Sequence, residues 1–377
     1  MPHLDLSRYV VVPRSMPSTG APNRPSRGVP IDQPRVSVVI PTRNEELYLP
    51  TCLDSVLGAL KLAGGGEILV ADGDSTDRTL EIARVFAQRH RSIRVIRNPH
   101  RITPAGFNAG IRAARSQHVA IVSAHSKVDP SFFVAALRIL ERGDADIVGG
   151  PVLTLPAGPG VLAWLLAQVV SHPFGVGNSR FRISRTRQYV DAVPFAVFRR
   201  EVFTVAGLFD ERLPRNQDTD FFGRAARAGF RVLMDPEVSS TYVARGTFLG
   251  LLQQGFLNAF WNVRVWRQNP AAFRLRHAVP ALFATAFWTL AALAPFSRVS
   301  VYAGVMLLGA YFTAAFCAAA NIWVRTRRAS TLALPVVFFV YHLAYGTGSL
   351  AGLRWLVAKI KPGSPSGGTT AALGAGR

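Results

Sequence analysis

The sequence has few acidic residues and almost no cysteine. Its 377 residues include 22 Asp and Glu against 43 Lys and Arg, and no acidic residue follows Glu237. Two cysteines, Cys52 and Cys317, cannot form a disulfide framework, so we expect a reducing compartment. Residues 1–35 lack the apolar core of a cleavable signal peptide, and we expect no such peptide. These shortages exclude a small secreted protein held together by disulfides.

Apolar side chains and basic charge, by contrast, are abundant. Hydrophobic residues make up 49% of the chain, the mean hydropathy is +0.21 and the formal net charge is +21. So much apolar material excludes a chain that is disordered throughout. The length suits one large domain with an additional module, or two domains. A basic and apolar chain is typical of a nucleic-acid-binding protein or of a protein at an anionic membrane.

The acid-free part of the chain separates these two classes. It contains three windows of 21, 26 and 25 residues without Lys, Arg, Asp or Glu, at residues 277–297, 299–324 and 329–353. Because a helix needs about 20 apolar residues to cross a bilayer, we predict a transmembrane region over residues 278–353. The predicted spans are about residues 278–296, 300–324 and 332–353. Buried helices of a soluble protein are the alternative, and the third span either crosses or re-enters the membrane.

The segment before the spans, residues 246–277, mixes large apolar residues with Gln, Asn and Arg side chains. This pattern predicts amphipathic interfacial helices whose arginines contact anionic lipid, with an ordinary surface helix as the alternative. Arg325, Arg327 and Arg328 lie between the second and third spans, whereas Arg298 alone separates the first two. The positive-inside rule therefore predicts a multi-pass protein of the bacterial-type cytoplasmic (inner) membrane, with its N-terminal domain in the cytoplasm. Basic residues that flank apolar spans, without a recognition motif, argue against nucleic acid as a partner.

Residues 35–245 have the pattern of an α/β domain. Short β-branched runs predict strands at residues 36–40, 67–70, 93–96 and 119–122. Helices are predicted between them, at residues 45–60, 75–90 and 105–114. This alternation implies a mostly parallel, Rossmann-like sheet with helices on both faces, and ligands bind beyond the carboxyl ends of such strands. By composition, residues 1–34 are a flexible leader and residues 354–377 a disordered tail.

Polar side chains follow three of the predicted strands. They are Pro41, Thr42, Asn44 and Glu45 after the first strand, Asp72 and Asp74 after the second, and Ser123 and His125 after the fourth. Because these strand ends share one edge of the sheet, the side chains can converge on one crevice. Asp72 is placed to accept a hydrogen bond from a base ring, and Glu45 to contact a ribose hydroxyl. Turn and cap roles are the alternative for the aspartates.

Two segments near the start of this domain carry a specific pattern. VSVVIPTRNEELYLPTCLDSVL contains a strand and P-x-x-N-E, and EILVADGDSTDRTLEIA contains a strand that ends in D-x-x-S-T-D. From about residue 36 to Trp261 the chain resembles the family 2 glycosyltransferases, which have a glycosyltransferase-A fold. NPHRITPAGFNAGI, SHPFGVGNSRFR and NQD resemble in particular the ExoA-like, succinoglycan-biosynthesis branch, whose members also carry C-terminal membrane spans. Each motif alone is weak, but their order along the chain is specific.

The resemblance implies inverting transfer of a sugar from a nucleotide-sugar donor, UDP-linked by family tendency, to an acceptor hydroxyl. The family's catalytic base falls on Asp218, in a pair that reads Gln217-Asp218 instead of the usual Glu-Asp. A helix cap is the alternative role for Asp218, and Asp220 is the reserve base. The residues expected to bind the donor are Pro41, Thr42, Asn44, Glu45, Asp72, Asp74 and Ser123.

One motif departs from the family's pattern. The D-x-D element that normally holds a divalent metal reads Ser123-Ala124-His125, so its first carboxylate is replaced by a hydroxyl. His125 can still coordinate a metal, Mn²⁺ or Mg²⁺ in this family, through one ring nitrogen, and imidazole favours Mn²⁺ over Mg²⁺. Whether this protein needs a metal is therefore left open by the sequence.

The arginine-rich segment 171–187 indicates an acceptor that carries phosphate. A polyprenyl-(pyro)phosphate-linked saccharide, or another membrane glycan acceptor, has the matching charge. The expected acceptor-side residues are Arg180, Arg182, Gln217, Asp220, Gln254 and Trp261. The leading hypothesis is thus a membrane-bound glycosyltransferase of cell-envelope or exopolysaccharide biosynthesis. The alternatives are a polyprenyl-phosphate monosaccharide synthase and a non-catalytic protein that binds nucleotide sugar or scaffolds a glycan-assembly complex.

Overall fold

The computed structural model describes residues 34–177, 179–272 and 275–360. The predicted leader up to residue 33 and the predicted tail beyond residue 360 lie outside the described residues. Within the described ranges the strands are β1 (Ser37–Thr42), β2 (Glu67–Asp72), β3 (Ile93–Arg97), β4 (His118–Ile121), β5 (Ser126–Val128), β6 (Ile147–Gly149), β7 (Val152–Leu155), β8 (Gln188–Tyr189), β9 (Ala196–Arg199), β10 (Val232–Met234) and β11 (Ser240–Val243).

The α-helices within these ranges are α1 (Leu49–Leu62), α2 (Thr79–Arg89), α3 (Thr103–Ala113), α4 (Phe132–Arg142), α5 (Val161–Val169), α6 (Pro173–Val176), α7 (Arg180–Ile183), α8 (Arg200–Val205), α9 (Gln217–Arg227), α10 (Phe248–Gln268), α11 (Leu275–Leu293), α12 (Arg298–Thr326) and α13 (Leu334–Ile360). Short 3₁₀ helices cover Pro236–Val238, Pro270–Ala272 and Ala329–Ala333.

A central sheet of eight strands forms the core of the N-terminal region, in the order β3-β2-β1-β4-β9-β6-β10-β8. β3, β2, β1 and β4 are parallel to one another, whereas β9 is antiparallel to both of its neighbours. A second sheet, β5-β11-β7, has three short strands. The predicted α/β class is confirmed, with a sheet that is mixed because β8 and β9 run against their neighbours.

The four parallel strands lie where the sequence predicts them, because their apolar runs are buried on both faces. Val38, Ile40 and Val70 belong to one buried cluster and Val39 and Leu69 to the other. The first two helices begin one turn later than predicted, at residues 49 and 79. Side chains of the preceding loops cause this delay, because they bind backbone N–H groups across the loop and not within a helical turn.

Three apolar helices follow the α/β region. α12 and α13 are long and apolar enough to cross a membrane by length and composition, and the apolar part of α11 is shorter. The three predicted spans fall on α11, α12 and α13, one on each. Helix α13 continues to Ile360, so residues 354–360, predicted as part of the tail, are helical. The apolar pattern continues through them, and the first helix-breaking residue is Pro362.

The amphipathic helix α10 packs tightly against α13. Gly348 of α13 lies so close to α10 that a Cβ atom there would be 2.2 Å from the Phe256 carbonyl oxygen. Helix α5 joins this bundle, because Trp164, Leu166 and Val169 belong to one buried cluster with Phe338 of α13. The α/β region and the apolar helices are therefore joined by direct side-chain packing.

Candidate active site

The loops after β1 and β2 interlock at the carboxyl edge of the sheet. Asn44 has the left-handed φ of 55°, and its side-chain oxygen accepts a hydrogen bond from the Thr76 backbone N–H at 2.9 Å. In return, the Asn44 N–H donates to the Ser75 hydroxyl at 3.1 Å, and the Glu45 N–H donates to the Thr79 hydroxyl at 2.7 Å. These hydrogen bonds connect the predicted donor-binding loop after β1 to the loop after β2. Pro41 is half-buried at the end of β1, opposite Ala71 of β2.

Asp72 lies buried beneath this loop, at the end of β2. Its carboxylate accepts hydrogen bonds from the Ser75 hydroxyl at 2.6 Å and from the Ser75 N–H at 3.1 Å. The Thr42 hydroxyl, also buried, donates to the same carboxylate at 3.4 Å. Asp72 therefore stabilises the loop that forms the crevice floor, which is the turn role considered for it alongside base recognition.

Asp74 faces outward and binds two arginines. It has a left-handed φ of 52° and forms ion pairs with Arg97 and Arg101, each at 3.2 Å. The hydrogen bond from Arg97, and then that from Arg101, hold the pKa of the Asp74 carboxyl below its usual range. The rim of the crevice thus carries cations that sequence reasoning missed, since nothing in the sequence connects Arg97 with Asp74.

Ser123 and His125 meet Glu45 just beyond β4. The His125 Nδ1 atom lies 3.1 Å from the Glu45 Oε1 atom, and the Ser123 hydroxyl oxygen lies 3.1 Å from Nδ1 and 3.2 Å from Nε2. Both the imidazole and the carboxylate are partly exposed. Ser123 and His125, which stand at the two carboxylate positions of the D-x-D element, are thus in direct contact. The described residues contain no group of three or more His, Cys, Asp or Glu side chains arranged for a metal.

Asp218 lies in the first turn of α9. Its Oδ1 atom accepts a hydrogen bond from the Thr219 N–H at 2.8 Å. Asp218 is exposed to solvent, and desolvation by the surrounding protein raises the pKa of its carboxyl. The preceding residue, Gln217, has a buried side-chain oxygen with no hydrogen-bond partner among the described residues. An accessible carboxylate with a raised pKa has the properties of a general base.

Asp220 occupies a different environment from Asp218. It is buried, forms a 2.9 Å ion pair with Arg224, and accepts a hydrogen bond from the Asn269 side chain at 3.3 Å. Arg224 in turn donates to the carbonyl of Leu208 at 2.8 Å. The reserve base is thus engaged in packing α9 against its neighbours, which leaves Asp218 as the accessible carboxylate of the pair.

Asn216 connects the Asp218 segment to the C-terminal helices. It has a left-handed φ of 56°, and its side-chain N–H group donates to the Asn258 carbonyl at 2.6 Å and to the Asn262 side-chain oxygen at 2.8 Å. Asn262 is buried on α10 and donates to the Tyr345 hydroxyl of α13 at 2.8 Å. His277 of α11 lies 2.7 Å from the same hydroxyl. This chain of polar contacts, absent from the sequence predictions, ties the candidate base to three helices.

The predicted acceptor-side residues lie at several places. Arg180 is exposed in α7, whereas Arg182 is half-buried and donates to the Thr154 hydroxyl at 3.1 Å. Gln254 is half-buried on α10. Trp261, also on α10, stacks on the guanidinium of Arg264 at 4.2 Å from the ring centroid. The structure does not bring all of these residues into one contact cluster.

Tyr242 of β11 joins the donor side to the arginine-rich segment. Its ring packs edge-on against His125 with 5.5 Å between ring centroids, and the Arg182 guanidinium lies 5.5 Å from the same ring. Tyr242 also interacts electrostatically with Arg215, which lies three residues before Asp218. The pKa of Arg215 is lowered, chiefly by burial. No sequence motif marks Tyr242, because its position depends on a small sheet assembled from distant segments.

Comparison with known proteins agrees with this geometry. The family model for glycosyl transferase family 2 matches residues 37–205. The chain is 23% identical to a dolichyl N-acetyl-alpha-D-glucosaminyl phosphate 3-beta-D-2,3-diacetamido-2,3-dideoxy-beta-D-glucuronosyltransferase of Methanococcus voltae, over 84% of this chain and 97% of the relative. It is 26% identical to the succinoglycan biosynthesis protein ExoA of Rhizobium meliloti, over 82% and 92% of the two chains.

A solved structure has a similar fold. It is the mannosyltransferase PcManGT from Pyrobaculum calidifontis, in complex with GDP-Man and Mn²⁺, and the TM-score is 0.57 at 19% sequence identity. The similarity covers 87% of this chain and 91% of that one. The predicted glycosyltransferase-A-like fold is thereby confirmed.

Proposed function

The chain is a glycosyltransferase whose residues 37–205 form a glycosyl transferase family 2 domain, and on that premise we propose that it transfers a sugar from a nucleotide-sugar donor to a hydroxyl of a membrane glycan acceptor, with inversion at the anomeric carbon. The observation that carries the proposal is the placement of Asp218, an accessible carboxylate with a raised pKa at the start of α9. The sequence resemblance supports the same role, because the family's base falls on Asp218 in the Gln217-Asp218 pair.

Asp218 acts as the general base in this proposal. Its carboxylate accepts the proton of the acceptor hydroxyl as the hydroxyl oxygen forms a bond to the anomeric carbon. On the opposite face, the bond from that carbon to the diphosphate oxygen breaks, and the nucleoside diphosphate leaves with the electron pair. Desolvation raises the pKa of Asp218, so its carboxylate is a stronger base than an ordinary exposed aspartate.

The donor occupies the crevice above the interlocked loops. Asp72 and Asn44 keep the loop backbone in place, and Glu45 remains partly exposed and available to a ribose hydroxyl. Arg97 and Arg101, bound to Asp74, add positive charge at the rim of the same loops. A diphosphate is attracted by such charge. A uridine base is the expectation from family tendency.

The residues present suit a divalent metal with a reduced set of protein ligands. Glu45 binds one imidazole nitrogen of His125, an arrangement that orients a histidine for metal binding through its other nitrogen. Ser123 and His125 would hold the ion, with the remaining ligands supplied by diphosphate oxygens and water. A bound Mn²⁺ or Mg²⁺ would neutralise charge that develops on the leaving diphosphate.

The acceptor side and the membrane helices complete the proposal. One relative is named for action on a dolichyl-phosphate-linked N-acetylglucosamine and another for succinoglycan biosynthesis, which supports a lipid-linked saccharide or exopolysaccharide intermediate as acceptor. Helices α12 and α13 have the length and composition to anchor the protein in the bilayer. The arginines at residues 325–328 favour a cytoplasmic position for the α/β domain.

Radiolabelled transfer tests the function directly. Membranes that contain the full chain are incubated with a panel of labelled nucleotide sugars, and the lipids are then extracted and separated. We expect label on a lipid-linked saccharide longer by one sugar. Label on polyprenyl monophosphate as a monosaccharide would favour the synthase alternative. No transfer from any donor, with intact nucleotide binding, would favour the non-catalytic alternative.

A further inference from the structure

A cavity of about 620 Å³ lies between the arginine-rich segment and the end of α12. Its volume falls in the range of small-molecule sites. Helices α5, α6 and α7 form one wall, and the last turns of α12 form the other. The polar residues that line it are Gln168, Ser171, His172, Arg182, Arg185, Asn321, Arg325 and Thr326.

The positive charge of the arginines that line the cavity has no acidic partner in the cavity wall. Three arginines line the cavity, no acidic residue does, and among the described residues no carboxylate lies within ion-pair distance of Arg182, Arg185 or Arg325. The neighbouring helices cannot supply one, because no Asp or Glu lies between residues 147 and 190 or after residue 237. Within the part of the chain that the structure describes, the partners of Arg182 are neutral, the Thr154 hydroxyl, the Val170 carbonyl and the Tyr242 ring, and burial lowers its pKa. An anion inside the cavity would offset the cost of burying this charge.

The surroundings of the cavity indicate what kind of molecule carries the anion. Outer residues of α12, such as Val305, Met306 and Val324, are exposed large apolar side chains. Trp323 and Trp164 each stack with an arginine of the loop after α12, an arrangement suited to the headgroup region. A ligand with an anionic head and a long apolar tail can therefore place its head in the cavity and its tail along α12.

We propose that this cavity binds the diphosphate of the lipid-linked acceptor, with Arg185 and Arg325 as ligands from the α/β domain and from α12. The proposal rests on the proposed function. The path to the reaction centre is short, since Arg182 in the cavity wall contacts the Tyr242 ring, which also packs against His125. The sugar that follows the diphosphate can extend past Tyr242 toward the donor crevice. An anionic phospholipid headgroup has related chemistry and is the rival occupant.

Binding of undecaprenyl diphosphate to the full-length protein tests the assignment. The protein is placed in nanodiscs of phosphatidylcholine, and binding of the radiolabelled lipid is measured for wild type, Arg185→Gln with Arg325→Gln, and Arg298→Gln. Arg298 lies at the opposite end of α12 and outside the cavity, so that variant is the matched control. Nucleotide binding to each variant is measured in parallel to confirm that the α/β domain is folded.

We expect the double variant to bind undecaprenyl diphosphate about tenfold more weakly or worse, because charge-assisted hydrogen bonds to the anion are lost. The Arg298 variant should bind as wild type does. Unchanged binding by the double variant would overturn the proposal, and so would equal displacement of the lipid by phosphatidylglycerol. Because binding is measured without transfer, these failures are distinct from a failure of the proposed function, in which wild type transfers no sugar.

Discussion

Asn262 is expected to control catalysis although it lies on α10 and not beside the reacting atoms. Asn262→Leu removes the 2.8 Å hydrogen bond that Asn216 donates, while Asn216 keeps its bond to the Asn258 carbonyl. The left-handed conformation costs most residues other than glycine about 1–2 kcal/mol, and asparagine adopts it more readily than most. One hydrogen bond contributes about 0.5–1.5 kcal/mol, so its loss removes one of the two side-chain contacts that hold Asn216 in this conformation. The Asn216–Asp218 segment should then sample other conformations.

A loss of about 0.5–1.5 kcal/mol corresponds to a population change of roughly 2- to 13-fold. We therefore expect kcat for sugar transfer to fall by about that factor in Asn262→Leu, with the KM for donor unchanged, because the donor loops are built from other residues. Steady-state transfer in nanodiscs measures both parameters, and thermal unfolding is recorded beside them. Asn258→Ala is the matched control, since Asn258 supplies its backbone carbonyl, which the substitution keeps.

Asn216→Gly provides a second test of the same reasoning. Glycine adopts the left-handed conformation without the steric cost, so Asn262→Leu should have a smaller effect in that background. The account would be refuted if Asn262→Leu lowered the unfolding temperature but left kcat within twofold of wild type. That result would mean that the polar chain from Asn216 to Tyr345 supports the fold alone.

Three further predictions concern the metal, the donor rim and the membrane. EDTA should abolish sugar transfer, and transfer unaffected by EDTA would remove the metal from the mechanism. Ser123→Asp should lower the Mn²⁺ concentration that gives half-maximal activity by roughly tenfold. Asp74→Asn should lower the unfolding temperature at neutral pH, because the variant loses the ion pairs with Arg97 and Arg101. The folded-state pKa of Asp74 lies below its unfolded value, so the difference in unfolding temperature between wild type and variant should vanish as pH falls through that lowered pKa. A difference in unfolding temperature that does not change with pH would contradict the ion-pair explanation. With α12 spanning the bilayer, Phe296→Cys and Ala329→Cys should react with an impermeant maleimide from opposite sides of the membrane; labelling from one side would exclude that span.

The parallel half of the sheet could be predicted because its strands are short apolar runs that end at polar residues. Val36 to Ile40 and Glu67 to Val70 are buried throughout, as expected for apolar runs that form the interior strands of a sheet covered on both faces. Helix starts could not be placed as well, since Ser75 caps nothing in α2 and binds Asp72 and Asn44 instead. A pattern of residue types cannot show which of two partners a hydroxyl selects.

The candidate site was predicted where its residues follow strands and missed where distant segments meet. His125, Glu45 and Ser123 follow strand ends and are in contact as a shared edge requires. Tyr242 gave no signal, because its position depends on a small sheet. Arg325 signalled only the membrane orientation, because its place in the cavity depends on the packing of α12 against α5. Asp218 could be named only through the family resemblance, since an aspartate at a helix start is more often a cap.

The central claim is that Asp218 is the base of an inverting transfer, and a single comparison tests it most directly. Wild type and Asp218→Asn are assayed with the donor identified in the membrane screen, and the anomeric configuration of the product is determined by NMR. We predict a product inverted relative to the donor, and a loss of about 10²–10⁴-fold in kcat for the variant with nucleotide binding unchanged. Full turnover by Asp218→Asn, or a product that retains the donor configuration, would contradict the account.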